Sequence, residues 1–167
     1  MTHTEIIEYC LAKPGAYLDY PFEPFSPVVK VKAPSQEKGR IFAQPFILHG
    51  EPKVTLNCTP ESAEIYRSVY SGSVLRGWHC PPVMQPYHNT VSLDGSVPDD
   101  EIRRMMDHAY AVVVAKYPKY IQKEIRATLS HSPWKLTIPR EGRQAMLIVA
   151  DEGISVKGNP VYFRRAS

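Results

Sequence analysis

Cysteine is scarce in this chain and unpaired in pattern: Cys10, Cys58 and Cys80 form no C-x-x-C and leave one over if two were joined. That argues against a disulfide framework, and reduced thiols in a cytosolic protein are the simpler reading. Long apolar runs are missing, since no window approaches ~18 consecutive apolar residues. Met1-Thr2-His3-Thr4-Glu5 lacks the basic and apolar regions of a secretory signal, so the expected location is cytoplasmic, with no membrane partner. Internal repeats, low-complexity tracts and the helix-turn-helix, zinc-finger and RNP patterns are also absent, which leaves no visible element for reading bases.

What is present suits an ordinary folded domain. A chain of 167 residues buries roughly 70% of its unfolded surface. Its hydrophobic fraction of 43% against 22% charged residues is far from a disordered composition. The net charge of +3 is unevenly spread. Residues 1–100 hold 8 Lys and Arg against 11 Asp and Glu, whereas residues 101–167 hold 12 against 6, so the basic character is carboxy-terminal. Such asymmetry marks a face for an anionic partner or simply a solvated surface.

Local signals divide the chain into short elements. Thr4 is the expected N-cap of a two-turn helix carrying Ile6, Ile7, Cys10 and Leu11, stopped by Pro14-Gly15. Tyr17 to Pro27, with three prolines among its aromatics, reads as an extended loop. Val28–Lys32, Arg40–Ala43 and Lys53–Cys58 form an antiparallel meander. Thr59-Pro60-Glu61 opens a helix with the apolar stripe Ala63, Ile65, Tyr66 and Val69. Asn89–Leu93 is a fourth strand turned by Asp94-Gly95, and Pro98-Asp99-Asp100-Glu101 opens a longer helix. Pro118 ends or restarts that helix, whose pattern continues to Ser130. Trp134–Ile138, Ala145–Ala150 and Val161–Arg164 read as further short strands. This mixture with short connections predicts a two-layer α+β domain, not a doubly wound parallel sheet.

Several blocks, in order, carry a family likeness. They are Tyr9-Cys10-Leu11-x-x-Pro14-Gly15-Ala16-Tyr17-x-Asp19-Tyr20-Pro21-Phe22, Gly39-Arg40-Ile41-Phe42-Ala43, Val54-x-Leu56-x-Cys58-x-Pro60-Glu61, Asn89-Thr90-Val91-x-Leu93-Asp94-Gly95-Ser96-x-Pro98-Asp99-Asp100-Glu101 and Asp107-His108-Ala109-Tyr110. Together they resemble the MmcQ/YjbR-like family over roughly residues 4 to 125. That resemblance implies residues 1–125 as an α+β domain similar to frataxin and CyaY, with helices covering one face of an antiparallel sheet. Residues 126–167 then form a C-terminal extension packed on it. The resemblance also implies DNA binding. One departure is that Cys80-Pro81-Pro82-Val83-Met84-Gln85-Pro86 contains no Lys or Arg, where family members usually carry basic residues.

Candidate sites follow from residue chemistry. Lys116, Lys119, Lys123 and Arg126, spaced by three, four and three, fall on one stripe if 116–126 stays helical, with Tyr117 and Tyr120 beside them. They are the expected nucleic-acid contacts, to backbone phosphates and with little sequence specificity. An alternative is a small-ligand or partner-protein pocket lined by Trp78, His79, Tyr87, His88 and Asn89. A thiol enzyme would use Cys80 with His88 as base and Asn89 as orienter, against the plainer reading of a packed thiol. His79, Cys80 and His88 lack paired-ligand spacing, so no metal and no cofactor is expected, and neither is catalysis.

Overall fold

The first helix, α1 (His3–Leu11), is capped two residues before the expected position. Thr2 is the N-cap: its hydroxyl accepts from the Glu5 N–H while the Glu5 carboxylate accepts from the Thr2 N–H at 2.7 Å. Thr4 has Ile7 three residues on and can make no such reciprocal box, which is why the start moves to Thr2. This computed structural model describes residues 1–128, with the strands at 146–150 and 153–157.

After α1 come β1 (Ala16–Asp19), β2 (Val28–Val31), β3 (Arg40–Leu48), β4 (Glu51–Asn57), α2 (Pro60–Val69), β5 (Val74–Arg76), β6 (His88–Ser92), α3 (Asp99–Ala115) and α4 (Lys119–Ala127). Strands β1 to β6 make one antiparallel sheet in the order β1-β2-β3-β4-β6-β5. Because β6 lies between β4 and β5, the β4-α2-β5 segment is a split crossover that β6 fills on its return. The architecture is α+β, as the mixed pattern predicts. Strand β7 (Met146–Ala150) pairs antiparallel with β8 (Gly153–Lys157). The expected strands at 134–138 and 161–164 lie outside the described residues.

Three elements differ from their sequence patterns. The start of the aromatic, proline-bearing stretch is strand β1, paired from Ala16 to Asp19 with β2. Strand β3 runs five residues past Ala43, through Pro45, and turns into β4 at His49-Gly50, both with positive φ as a tight hairpin requires. Strand β5 is only three residues long and sits at the sheet edge.

Pleating gives the sheet two different faces. On one, Val29, Val31, Ala43, Val54, Leu56, Val74 and Val91 join Ile6 and Cys10 of α1 and Ile102, Met106, Ala109 and Val113 of α3 in a single apolar core. A register shift between Val29 and Lys30 leaves Phe42 as the extra residue of a bulge. Phe42 is thereby buried beside Ala43, its ring edge-on to Tyr110 at 5.5 Å. On the other face, β4 and β6 pair polar residues: Lys53 with Ser92 at 3.0 Å, Thr55 with Thr90 at 2.8 Å, and Asn57 with His88 at 3.0 Å. No helix among the described residues is long and apolar enough to cross a membrane.

Gly15, in the turn between α1 and β1, lies close against the end of β2. Its φ is +67°, its carbonyl accepts from the Lys32 N–H at 3.1 Å, and a Cβ there would stand 2.5 Å from the Lys32 carbonyl oxygen. Gly15→Ala is expected to cost about 2 kcal/mol or more, lowering the thermal midpoint by several degrees. Gly50→Ala, also at positive φ but facing open space, is expected to cost less. Equal losses in calorimetry would show that the contact with β2 is unimportant.

Candidate functional site

Helix α3 ends because Pro118 has no N–H to continue the ladder. Lys116 is its C-cap, and Tyr117 follows almost fully buried, its hydroxyl donating to the Val31 carbonyl at 2.9 Å. Pro118 then caps α4. Gln122, itself buried, donates from Nε2 to the Tyr117 carbonyl at 2.7 Å, satisfying an orphan acceptor at the joint. Ile121 and Ile125 enter the apolar core. Glu124, the one acidic residue of α4, accepts from the Ser35 N–H at 2.8 Å and from the Ser35 hydroxyl at 2.6 Å.

With Ile121, Gln122, Ile125 and Glu124 turned inward, the outer face of α4 carries Lys119, Tyr120, Lys123 and Arg126, all exposed. Lys119, Lys123 and Arg126 sit at i, i+4 and i+7, so their charges stack along one side. None of the three forms an ion pair with another described residue. Lys116 is exposed too, but it belongs to the end of α3 across the helix break, so the four-residue stripe is not one continuous helix face. Its charge acts on the Cys58 thiol and the His88 ring.

The fold adds cations that no linear spacing announces. Arg40 of β3 lays its guanidinium over the Tyr117 ring at 4.8 Å, and Lys32, whose backbone touches Gly15, stands 5.3 Å from the Tyr17 ring. Both rings belong to the region where α4 meets β1 and β2: the Gly15 Cβ position is 3.3 Å from Ile125. The one sequence signal for Arg40 was its place at a strand start.

Of the alternative site, Trp78, His79 and His88 lie on the polar side of the sheet, and Asn89 alone is seen to turn to the helix side. Trp78, 54% exposed, donates its backbone N–H to Thr90 Oγ1 at 2.9 Å, and its ring stands edge-on to His49. His79 packs edge-on against Phe46 at 4.7 Å. Tyr87 is half exposed at the end of a short 3-10 turn, Gln85–Tyr87. Asn89 points the opposite way from His88, into the helix layer, where it accepts from Arg67 at 2.9 Å and donates to the Ala63 carbonyl at 3.3 Å. It fastens α2 to β6 and does not orient His88.

His88 has both ring nitrogens engaged. Nδ1 lies 2.9 Å from the Met84 carbonyl, which can only accept, so Nδ1 carries the proton. Nε2 then accepts from the Asn57 amide at 3.0 Å. Burial holds the His88 pKa below its usual value, favouring this neutral form. The thiols are also unsuited to nucleophilic work. Burial pushes Cys80 up, Cys58 up to about 11 and Cys10 up to about 12, so none is a ready thiolate. Among the described residues no three His, Cys, Asp or Glu side chains gather as a metal site would require.

Because the folded His88 has a depressed pKa, the unfolded chain binds its proton more readily. The contribution is present above the unfolded value near pH 6.5 and is lost as pH falls toward the folded one. Thermal denaturation between pH 7.5 and 5 is expected to show stability falling below about pH 6.5, with a shallower fall in His88→Gln. An unchanged slope in the variant would remove His88 as its source.

Comparison with known proteins agrees with this architecture. Residues 11–112 match the family model for YjbR. The YjbR proteins of Escherichia coli K12 and of Escherichia coli O157:H7 are each 32% identical over 123 residues, covering 74% of this chain and 96% of theirs. A crystal structure of a Deinococcus radiodurans protein of the DUF419 domain superposes with a TM-score of 0.66 at 27% identity, over 74% of this chain and 87% of that one. A Pseudomonas syringae crystal structure, 18% identical, shares the fold with a TM-score of 0.53, over 68% of this chain and 99% of its own. With the fold, the family match and the extent of identity in agreement, the chain belongs to the YjbR family.

Proposed function

We propose that this chain works by binding and not by catalysis, and that its target is DNA held through backbone phosphates with little sequence specificity. The observation that carries the reading is the outer face of α4. Lys119, Lys123 and Arg126 stand exposed along it with no described acidic partner, while Glu124 is drawn inward by Ser35. Lys116, Arg40 and Lys32 extend the positive region around the α3–α4 joint. Cations spaced along a rigid helix track phosphates without reading bases. The raised Cys80 pKa weighs against a thiol enzyme. A cytoplasmic location and a kinship with frataxin and CyaY belong to the same proposal, and no iron chemistry is inherited through that kinship.

A second reading, a partner-protein surface, is favoured by one specific observation. Ile65 and Val69 of α2, Leu75 of the edge strand β5, and Trp78 and Val83 beyond it are all more than half exposed. These residues lie in the chain between α2 and β6, apart in sequence from the α4 cations.

Titration of duplex DNA at several salt concentrations separates the readings. Three phosphate contacts predict a log–log slope of roughly −3, or about a 40-fold loss of affinity between 50 and 200 mM salt. Reversing Lys119, Lys123 and Arg126 to Glu is expected to abolish binding with the thermal midpoint little changed, and Trp78→Ser to leave it intact. Absence of binding at low salt, or binding indifferent to salt, would contradict the proposal.

The thiols supply a separate check. At neutral pH iodoacetamide is expected to alkylate Cys80 more slowly than an unperturbed cysteine, and Cys58 and Cys10 more slowly still. Rapid alkylation of Cys80 would return the enzyme reading to consideration.

A further inference from the structure

We infer that the strand engaged by α4 is single-stranded, and that Tyr120 stacks on one of its unpaired bases. This rests on the phosphate-binding reading of α4 and names the form of nucleic acid that reading leaves open.

The observation is the contrast between two tyrosines three residues apart. Tyr117 is almost wholly buried, bonded through its hydroxyl to Val31 and covered by Arg40, so it is a structural residue of the joint. Tyr120 is 72% exposed and is not among the side chains packed on the core. It lies on the outer face of α4 beside Lys119 and one turn before Lys123. An exposed aromatic ring gains nothing from solvent, and one turn along the helix from it stand the cation Lys123 and Glu124, whose carboxylate is engaged by Ser35. Lys119 and Lys123 stand about 6 Å apart along the helix axis, and Arg126 about 4.5 Å further. The ring thus flanks a short row of charges about 10 Å long.

Duplex and single strand present different surfaces to such a face. In a duplex the bases are stacked on one another, so a ring carried on a phosphate-tracking helix meets backbone and finds no free base face. In a single strand the π-face of any base is available, and an aromatic residue beside a positive track is the pairing that non-specific single-strand binders use. Stacking of this kind tolerates any sequence, consistent with the lack of a base-reading motif.

The test measures affinity of the full chain for a 20-nucleotide oligo-dT, an oligo-rU of equal length and a duplex of equal length, at one low salt concentration. Both single strands are expected to bind more tightly than the duplex. Preference for oligo-dT or oligo-rU distinguishes DNA from RNA as the source of the unpaired base. Tyr120→Ala is expected to weaken single-strand binding by about 5-fold to 100-fold, Tyr120→Phe to retain it, and both to leave duplex affinity unchanged. Photo-crosslinking of an iodouracil-substituted strand is expected to label Tyr120. Salt-sensitive binding that ignores Tyr120→Ala, or that favours the duplex, overturns this inference and leaves the phosphate-binding reading standing. No binding to any of the three probes removes both.

Discussion

Tyr117 and Pro118 set where α4 lies, and with it the direction in which Lys119, Lys123 and Arg126 point. Pro118 cannot donate the hydrogen bond that would carry α3 onward, so the chain must turn. Tyr117 decides where it turns, because its buried hydroxyl finds the Val31 carbonyl of the sheet. That bond contributes about 1 kcal/mol net, less than the roughly 1.5–3 kcal/mol from burying either Ile121 or Ile125. The hydrogen bond therefore orients the joint, whereas apolar burial holds α4 down. Gln122 and Glu124 complete the arrangement from the inner face, and the one acidic charge of α4 is engaged by Ser35 as a result.

The same logic runs through the sheet. One face supplies the apolar core for α1, α3 and α4, and the other pairs polar side chains across β4 and β6. His88 belongs to that polar ladder, with both nitrogens satisfied internally. A histidine so engaged serves packing first, and a thiol such as Cys80, raised by burial, gains no ready base from it. What first looks in the sequence like a compact chemical cluster is therefore divided by the pleat: His88 on the polar face, Asn89 among the helices.

How much of this was legible depended on the range of the determining contacts. Thr59-Pro60-Glu61 and Pro98 announced helix starts because caps and dipoles act within one turn, and both helices begin where those signals stand. The break at Pro118 was legible for the same reason. Strand β5 was not, since three residues cannot display a period and its pairing with β6 is a tertiary choice. Pro45 concealed the length of β3; it is tolerated because β3 outruns β2 there, leaving that edge without a neighbour. At the basic surface, the α4 cations could be read from helical spacing. The inward turn of Glu124, the burial of Tyr117 and the approach of Arg40 could not, because each depends on a partner more than 70 residues away.

The central claim is that the face around α4, and not the loop from Trp78 to His88, meets the anionic partner. Amide chemical-shift mapping by NMR during titration with a short oligonucleotide tests it most directly. The account predicts progressive, salt-reversible shifts at residues 116–126 and around Arg40, with residues 78–87 unmoved. Shifts confined to 78–89, or none at residues 116–126 while the oligonucleotide binds, would contradict it.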